Sequence, residues 1–183
     1  VEHRVDDVDE RLVAAEHAVP TGQQIALQPT LAEVLGQDLH HTPIGREVLV
    51  EASQRYLIPE AKLNAVVEKG PHWWERLLQD LRPYRTALQA SLCELAQDGK
   101  VVYHGHLGHE LLSGIGHVLK VLLTAPLEFR IEQVRARQNL TDAAARRYIE
   151  EVDKARSRRL MAMFGADWRD PNRYDLIFNV GRM

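Results

Sequence analysis

The sequence predicts an α/β protein built on a parallel sheet flanked by helices. Three short runs of β-branched and apolar residues, at 100–103, 117–124 and 175–180, have the composition of strands. The second run is almost continuously apolar, which is typical of a strand buried on both faces. The segment between the second and third runs is too long for a hairpin and has helical periodicity, as expected of a crossover between parallel strands.

Length and composition describe one ordinary domain. At 183 residues the chain can bury a substantial core, and its formal net charge of −3 does not favour a nucleic-acid partner. No apolar run approaches the roughly 18 residues of a membrane-spanning helix, and the first residues lack the apolar core of a signal peptide. The single cysteine, Cys93, has no partner for a disulfide within the chain. These features predict a cytoplasmic protein without a membrane partner.

The first residues are predicted to form a helical extension. Residues 5–19 place apolar side chains on one stripe of a helix, which Pro20 and Gly22 end. We therefore divide the chain into an N-terminal helical extension over 1–29 and a single α/β domain over 30–183. Because the extension lies outside the predicted domain, its apolar stripe is a candidate contact for a second copy of the chain or for another protein. A short apolar run at 25–27 fits a strand.

Further helical segments precede the strand predicted at residues 100–103. They carry apolar residues at helical spacing, and proline or glycine marks several of their ends. The segments span residues 30–39, 46–56, 59–69 and 72–98, the last of them broken near Arg82 and Pro83. Residues 40–45 are predicted to be a connector.

A turn rich in glycine and histidine follows the strand predicted at residues 100–103, at the edge of the sheet where α/β proteins bind ligands. Gly105 and Gly108 allow backbone amides to approach an anion, and His106 between them is a candidate phosphate or base contact. The alternative is a tight strand-to-helix turn without a ligand. A cluster of histidines raises the question of a zinc site, but no pattern of cysteine or acidic ligands completes one, and we predict no metal. The cluster comprises His104, His106, His109 and His117.

A basic helix is predicted to begin near Thr141. Thr141 is a suitable N-cap, Asp142 lies in the first turn, and Ala145 and Ile149 belong to an apolar stripe. The opposite face carries more cations than its carboxylates can pair, which makes it a candidate phosphate-binding surface. The alternative is a solvated charged face. Its cations are Arg146, Arg147, Lys154, Arg156, Arg158 and Arg159.

Three segments of the C-terminal half carry a recognisable pattern. They are residues 125–131 (APLEFRI), 139–156 (NLTDAAARRYIEEVDKAR) and 164–179 (FGADWRDPNRYDLIFN). Together with residues 45–53 and 101–112, they resemble the cytidylate kinase-like branch of the P-loop nucleoside monophosphate kinases. The resemblance covers residues 30–183, and the predicted elements occur in the order of that family.

The resemblance implies a doubly wound parallel sheet that binds ATP and Mg²⁺ and transfers a phosphoryl group to a cytidylate-type monophosphate. Such transfer depends on positioning and on neutralisation of charge. By the same resemblance, Arg130 and Arg137 are phosphate-binding residues on the helix after the strand at 117–124. Asp153, Lys154 and Arg156 match the mobile lid that covers the phosphates, and they are the predicted catalytic residues.

The chain departs from this family at the phosphate-binding loop. That loop needs Gly-x-x-x-x-Gly-Lys-Ser/Thr or a close relative, because its amides cradle the phosphates and its lysine reaches the β and γ oxygens. The corresponding segment, residues 21–30 (TGQQIALQPT), has one glycine, a proline and no lysine. A second departure is His106, since related kinases commonly carry arginine there.

These departures predict a cytidylate kinase-like protein that binds a nucleotide but is impaired or inactive in ATP-to-CMP phosphoryl transfer. Two alternatives stay open. The first is an active, atypical nucleoside monophosphate kinase that uses ATP and Mg²⁺. The second is a non-enzymatic structural or oligomer-forming protein.

Overall fold

A computed structural model describes residues 12–17, 28–68 and 81–182. These residues form a five-stranded sheet with the strand order β2-β3-β1-β4-β5, and every pair of neighbouring strands is parallel. The predicted α/β class with a parallel sheet is therefore confirmed. The strands are β1 (Leu12–His17), β2 (Thr42–Ile44), β3 (Val101–His104), β4 (Val118–Thr124) and β5 (Leu176–Asn179).

Helices connect the strands and cover both faces of the sheet. They are α1 (Gln28–Asp38), α2 (Glu47–Tyr56), α3 (Glu60–Glu68), α4 (Arg82–Leu95), α5 (Gly108–Leu111), α6 (Leu127–Gln138) and α7 (Asp142–Phe164). Short 3-10 turns at Pro171–Arg173 and Val180–Arg182 flank β5. Most of the predicted helices are confirmed, and α4 begins at the predicted break, with Pro83 in its first turn. The predicted helix over residues 72–80 lies outside the described residues.

The helix predicted over residues 5–19 is wrong at residues 12–17, which form β1 at the centre of the sheet. β1 pairs with β3 on one side and with β4 on the other. Its apolar composition fits a helix or a buried strand equally well, and pairing along both edges decides for the strand. The proposed partner contact through a helix therefore has no basis at these residues. The structure does not describe residues 1–11 or the strand predicted at 25–27. It also does not test the predicted division of the chain at residue 29.

The connector predicted over residues 40–45 is wrong at residues 42–44, which form β2. β2 pairs with β3 alone and lies at the edge of the sheet. Pro43 argues against a strand in a sequence because it donates no backbone hydrogen bond, but an edge strand tolerates it.

Two apolar layers cover the two faces of the sheet. Alternating residues of β3 divide between them, since Val101 and Tyr103 pack into the main core and Val102 into a smaller cluster with Ala32 of α1. The main core includes residues of α2, α4, α5 and the C-terminal part of α7.

Helices α6 and α7 form a hairpin with an apolar cluster of its own. Ile131, Val134, Ala145 and Ile149 are buried between the two helices. The C-terminal part of α7 continues into the main core through Leu160 and Met163. No helix among the described residues combines the length and apolarity needed to cross a membrane.

Candidate functional site

The carboxyl ends of the parallel strands meet at one edge of the sheet, where α/β folds bind ligands. β1 is the central strand, and the chain continues from it directly into residues 18–27. β2 leads to Gly45 and the start of α2, while β3 leads to the glycine-histidine turn. β1 and β3 are parallel neighbours, so the carboxyl end of β1 and the turn after β3 lie at the same edge of the sheet.

The turn after β3 is tight for a steric reason. A Cβ atom at Gly105 would overlap the hydroxyl group of Tyr103, so a larger residue here would force the buried tyrosine ring to move. His106 is half-buried, and Gly108 is buried at the start of α5. Close packing against Tyr103 thus explains the glycine at position 105. Gly105, His106 and Gly108 all lie in one short turn.

His104 ends β3 and packs against the backbone of Gly45. A Cβ at residue 45 would lie 2.6 Å from Nε2 of His104, so this contact depends on glycine. The amide of Gly45 donates a hydrogen bond to the carboxylate of Glu47 at 2.6 Å. Burial lowers the pKa of His104, and the nearby carboxylates of Glu47 and Glu33 oppose that shift.

A bidentate ion pair joins the two helices of the hairpin. Arg130 of α6 donates from Nη1 and Nη2 to the carboxylate of Asp153 on α7, at 3.0 and 2.8 Å. The guanidinium is buried and the carboxylate is largely so, with side-chain exposures of 9% and 21%. Such geometry is the strongest form of a charged hydrogen bond between side chains.

Arg156 lies one turn further along α7 and stacks on Trp168. Its guanidinium carbon is 4.4 Å from the centroid of the indole ring. Arg156 is buried, and burial lowers its pKa to about 10, an effect that Tyr174 and Asp153 oppose. A guanidinium with this pKa remains a cation at neutral pH.

Helix α5 connects the glycine-histidine turn to this region. His109 is buried and stacks on Tyr174, with the ring centroids 5.0 Å apart. Burial lowers the pKa of His109 to about 3, and the positive charges of Arg156, Arg173 and Lys120 add to the effect. The imidazole is therefore neutral at physiological pH.

A second ion pair lies beside His109. Nη1 of Arg173 donates to the carboxylate of Glu110 at 2.6 Å, and the glutamate side chain is 8% exposed. Glu110 belongs to α5, whereas Arg173 precedes β5, so the pair ties the turn region to the last connection of the fold.

The structure brings some of the predicted site residues together and separates others. Arg130, Asp153 and Arg156 meet at the base of the hairpin. Lys154 is exposed on α7, and Arg137 is exposed near the end of α6, where it lies 3.5 Å from the amide oxygen of Gln133.

The four histidines differ in burial. His109 is buried and His117 is exposed, while His104 and His106 are half-buried. In the parts of the chain that the structure describes, no three histidine, cysteine or acidic side chains are grouped as metal ligands.

Comparison with known proteins agrees with this architecture. The cytidylate kinase-like family matches residues 23–182. The chain belongs to this family. Among individual relatives, a cytidylate kinase from Methanopyrus kandleri is 35% identical over 97 residues, and the match spans 49% of this chain and 50% of that protein. A cytidylate kinase from Methanocaldococcus jannaschii is 30% identical over 91 residues, about half of either chain.

Solved structures support the fold alone, because their sequence identities are low. A protein from Eubacterium ventriosum superposes with a TM-score of 0.67 at 15% identity, covering 95% of this chain and 90% of that one. A shikimate kinase from Bacteroides thetaiotaomicron superposes with a TM-score of 0.51 at 14% identity, covering 93% and 87%. The cytidylate kinase-like chain therefore has the α/β fold of a kinase.

Cytidylate kinases imply ATP and Mg²⁺, and the residue types after β1 do not fit the phosphates of ATP. The strand that should lead into the phosphate-binding loop is present at the centre of the sheet. The residues that follow it, 18–27 (AVPTGQQIAL), contain one glycine and no lysine. This segment therefore has no lysine of the kind that contacts the β and γ oxygens in a phosphate-binding loop, and it has only one of the glycines that let consecutive amides approach them.

The contacts that three residues of this region make are not visible in the sequence. Trp168 lies within the segment that resembles the family, but its contact with Arg156 depends on how the chain reverses after α7. Glu110 and Arg173 are 63 positions apart, and their ion pair exists only in the folded chain.

Proposed function

We propose that this cytidylate kinase-like protein binds a cytidylate-type nucleotide and is impaired in ATP-to-CMP phosphoryl transfer. The observation that carries the proposal is the sequence after β1. The central strand leads into a segment without the glycines and lysine of a phosphate-binding loop, while cations remain on α7.

The proposed phosphate contacts come from α7 and from the turn after β3. Lys154 is exposed and Arg156 is cationic at neutral pH, so both have the charge that a phosphate requires. The turn supplies backbone amides at Gly105 and Gly108, with His106 between them. Asp153 would act indirectly in this arrangement, because it holds Arg130 and lies beside the cations.

The proposed impairment follows from the charge that builds up during phosphoryl transfer. Catalysis of this reaction depends on neutralising the phosphate oxygens, and losing a single well-placed donor costs about 100- to 1,000-fold in rate in other enzymes that stabilise an oxyanion. Residues 18–27 lack both the lysine and most of the glycines of a phosphate-binding loop. We therefore expect turnover at least about 100-fold below that of an intact cytidylate kinase.

Nucleotide binding is tested first, by thermal unfolding in the presence of CMP, dCMP, ADP and ATP, each with and without Mg²⁺. A ligand at 100 times its Kd stabilises the folded state by about 2.7 kcal/mol, so a specific complex raises Tm measurably. We expect a shift with CMP or dCMP. No shift with any of the four nucleotides would refute the proposal.

Turnover is tested by a coupled assay of ADP release, with the Methanopyrus kandleri cytidylate kinase as the positive control. Impairment predicts nucleotide binding with little or no ADP release from CMP and ATP. The alternative, an active atypical kinase, is favoured by the cytidylate kinases among its relatives. A rate within tenfold of the control enzyme would establish that alternative.

The role of α7 is tested with two matched lysine substitutions. Lys154→Ala and Lys62→Ala each remove one exposed positive charge, and Lys62 lies on α3. Direct phosphate contact predicts weaker CMP binding in Lys154→Ala alone. Equal loss in both variants would indicate a long-range effect of net charge and would remove Lys154 from the site.

The proposed location of this protein is the cytoplasm.

A further inference from the structure

Arg156 is held in place by an aromatic platform that lies outside its own helix. Its guanidinium stacks on the indole of Trp168 at 4.4 Å, and both side chains are buried, at 4% and 6% exposure. Stacking uses the flat face of a guanidinium and leaves the orientation of its N–H donors fixed in one plane. A desolvated contact of this kind is stronger than one at the surface.

The platform is itself anchored on both sides. The indole Nε1 donates to the hydroxyl of Ser157 at 3.0 Å, and the carbonyl oxygen of Trp168 accepts from the hydroxyl of Tyr174 at 2.8 Å. A second guanidinium, that of Arg169, lies 5.2 Å from the ring centroid and donates to Ser157 at 3.3 Å. The ring therefore has little freedom to rotate or to leave Arg156.

The chain reversal after α7 creates this arrangement. Gly165 caps the helix in the left-handed conformation, with φ of 65°, and its amide bonds to the carbonyl of Met161. The chain then turns back along the helix, so that Trp168 reaches the level of Ser157 and Arg156. Helix α7 has no glycine or proline within Asp142–Phe164 at which it could kink.

We propose that Trp168 is a positioning residue, which fixes the Arg156 guanidinium in the orientation that receives a nucleotide phosphate. This inference rests on the proposed function, because it requires that Arg156 contacts phosphate. It adds that the folded protein holds the guanidinium in one orientation before a nucleotide binds. Arg156 is only 4% exposed, so a phosphate reaches it only when the residues that cover it move. The specific role belongs to the ring face of Trp168 and not to its bulk.

The test compares two substitutions at residue 168. Trp168→Phe keeps an aromatic face for Arg156, whereas Trp168→Leu keeps apolar bulk without that face. We expect the affinity for CMP, measured by isothermal titration calorimetry, to fall roughly five- to tenfold in Trp168→Leu. The loss in Trp168→Phe should be smaller, about two- to threefold, because this variant keeps an aromatic face but loses the hydrogen bond to Ser157. Where Trp168→Leu does not fold, Trp168→Met takes its place.

A matched control separates positioning from a general loss of stability. Val134 is buried in the α6–α7 cluster and does not belong to the main core, so Val134→Ala weakens the hairpin without touching the platform. Binding should be unchanged in this variant. Equal losses in Val134→Ala and Trp168→Leu, or equal losses in both substitutions at 168, would overturn the proposal.

Hydrogen exchange on the same proteins distinguishes the ways in which the proposal could fail. If the ring of Trp168 holds Arg156 in place, backbone amides around residue 156 should exchange faster in Trp168→Leu than in Trp168→Phe, with or without nucleotide. If wild type binds CMP but Trp168→Leu binds it equally well, the positioning role is wrong and the proposed function stands. If wild type binds no nucleotide, the proposed function is wrong and the positioning role fails with it.

Discussion

At the scale of single residues, burial decides what each charged group can do. Arg156 is identical in type to Arg158 two positions later, yet Arg156 is buried against Trp168 and Arg158 is exposed. His109 and His117 differ in the same way, since one is buried against Tyr174 and the other faces solvent. The charge and reach of these side chains therefore follow from their positions in the fold.

His109 should make the stability of the protein depend on pH. Its pKa is about 3 in the folded protein, below the ordinary value of 6.5, because it is buried and faces Arg156, Arg173 and Lys120. Between these pH values the unfolded chain binds the proton more readily than the folded chain does. The contribution of His109 to the free energy of unfolding is therefore complete above about pH 6.5 and is lost as the pH falls. For this group alone we expect a loss of about 2 kcal/mol between pH 7 and pH 5.

Chemical denaturation at the two pH values measures this contribution. His109→Phe keeps a ring against Tyr174 and removes the titrating group, so it should lose less stability on acidification than wild type. His117→Phe, at an exposed position, is the control and should behave like wild type. Glu110 also faces the ring, at 3.6 Å from Nε2. An identical pH dependence in wild type and His109→Phe would contradict the prediction.

At the scale of elements, the α6–α7 hairpin depends on a few contacts between its helices. Its apolar cluster is small, and the ion pair of Arg130 with Asp153 joins the two helices. The sequence predicts both helices correctly from their periodicity and from the N-cap at Thr141, whose hydroxyl accepts from the amide of Ala144 at 3.3 Å. It does not predict the pairing, because Arg130 and Asp153 are 23 positions apart.

Breaking this ion pair should destabilise the hairpin. Arg130→Met leaves the Asp153 carboxylate largely buried without its partner, and we expect the free energy of unfolding to fall by about 2 to 3 kcal/mol. Arg135→Met is the matched control, since Arg135 pairs with Asp142 between the same two helices at 2.7 Å. Those side chains are 50% and 73% exposed, so the expected loss is under about 1 kcal/mol. Urea denaturation measures both variants, and similar losses would contradict the argument.

At the scale of the whole molecule, the sheet order places one apolar strand at an exposed edge. Within the part of the chain that the structure describes, β5 pairs with β4 alone, and Leu176, Ile177 and Phe178 are 42%, 47% and 42% exposed. Such an edge, without a charged residue or proline in the strand, is a template for pairing with another chain. We expect concentration-dependent association of the protein on mild heating.

A charge on this edge should reduce the association. Ile177→Lys is expected to lower the light scattering of a heated sample, because an edge lysine opposes strand pairing. Val34→Lys is the control, since Val34 is 44% exposed but lies on α1, away from any strand edge. If both substitutions reduce scattering equally, net charge and not the strand edge governs association.

Several features of this protein are determined by its sequence alone. Residues 117–124 and the long helical crossover after them are sufficient for a parallel α/β class, because their periodicity is local. The absence of a Gly-Lys pattern in residues 21–30 is equally a property of the sequence, and it carries the proposed impairment. The confirmed family membership also rests on sequence.

The tertiary structure decided the features that depend on distant partners. β1 and β2 are strands because neighbouring strands satisfy their backbone hydrogen bonds, although their local sequences suggest a helix and a connector. Arg156 has its orientation because the chain reverses after α7 and returns Trp168 to it. His109 is neutral because burial and three cations from other parts of the chain oppose its protonation. Local pattern therefore predicts most of the helices and three of the strands, whereas packing between remote residues decides β1 and β2, the pairing of the elements and the charge state of His109.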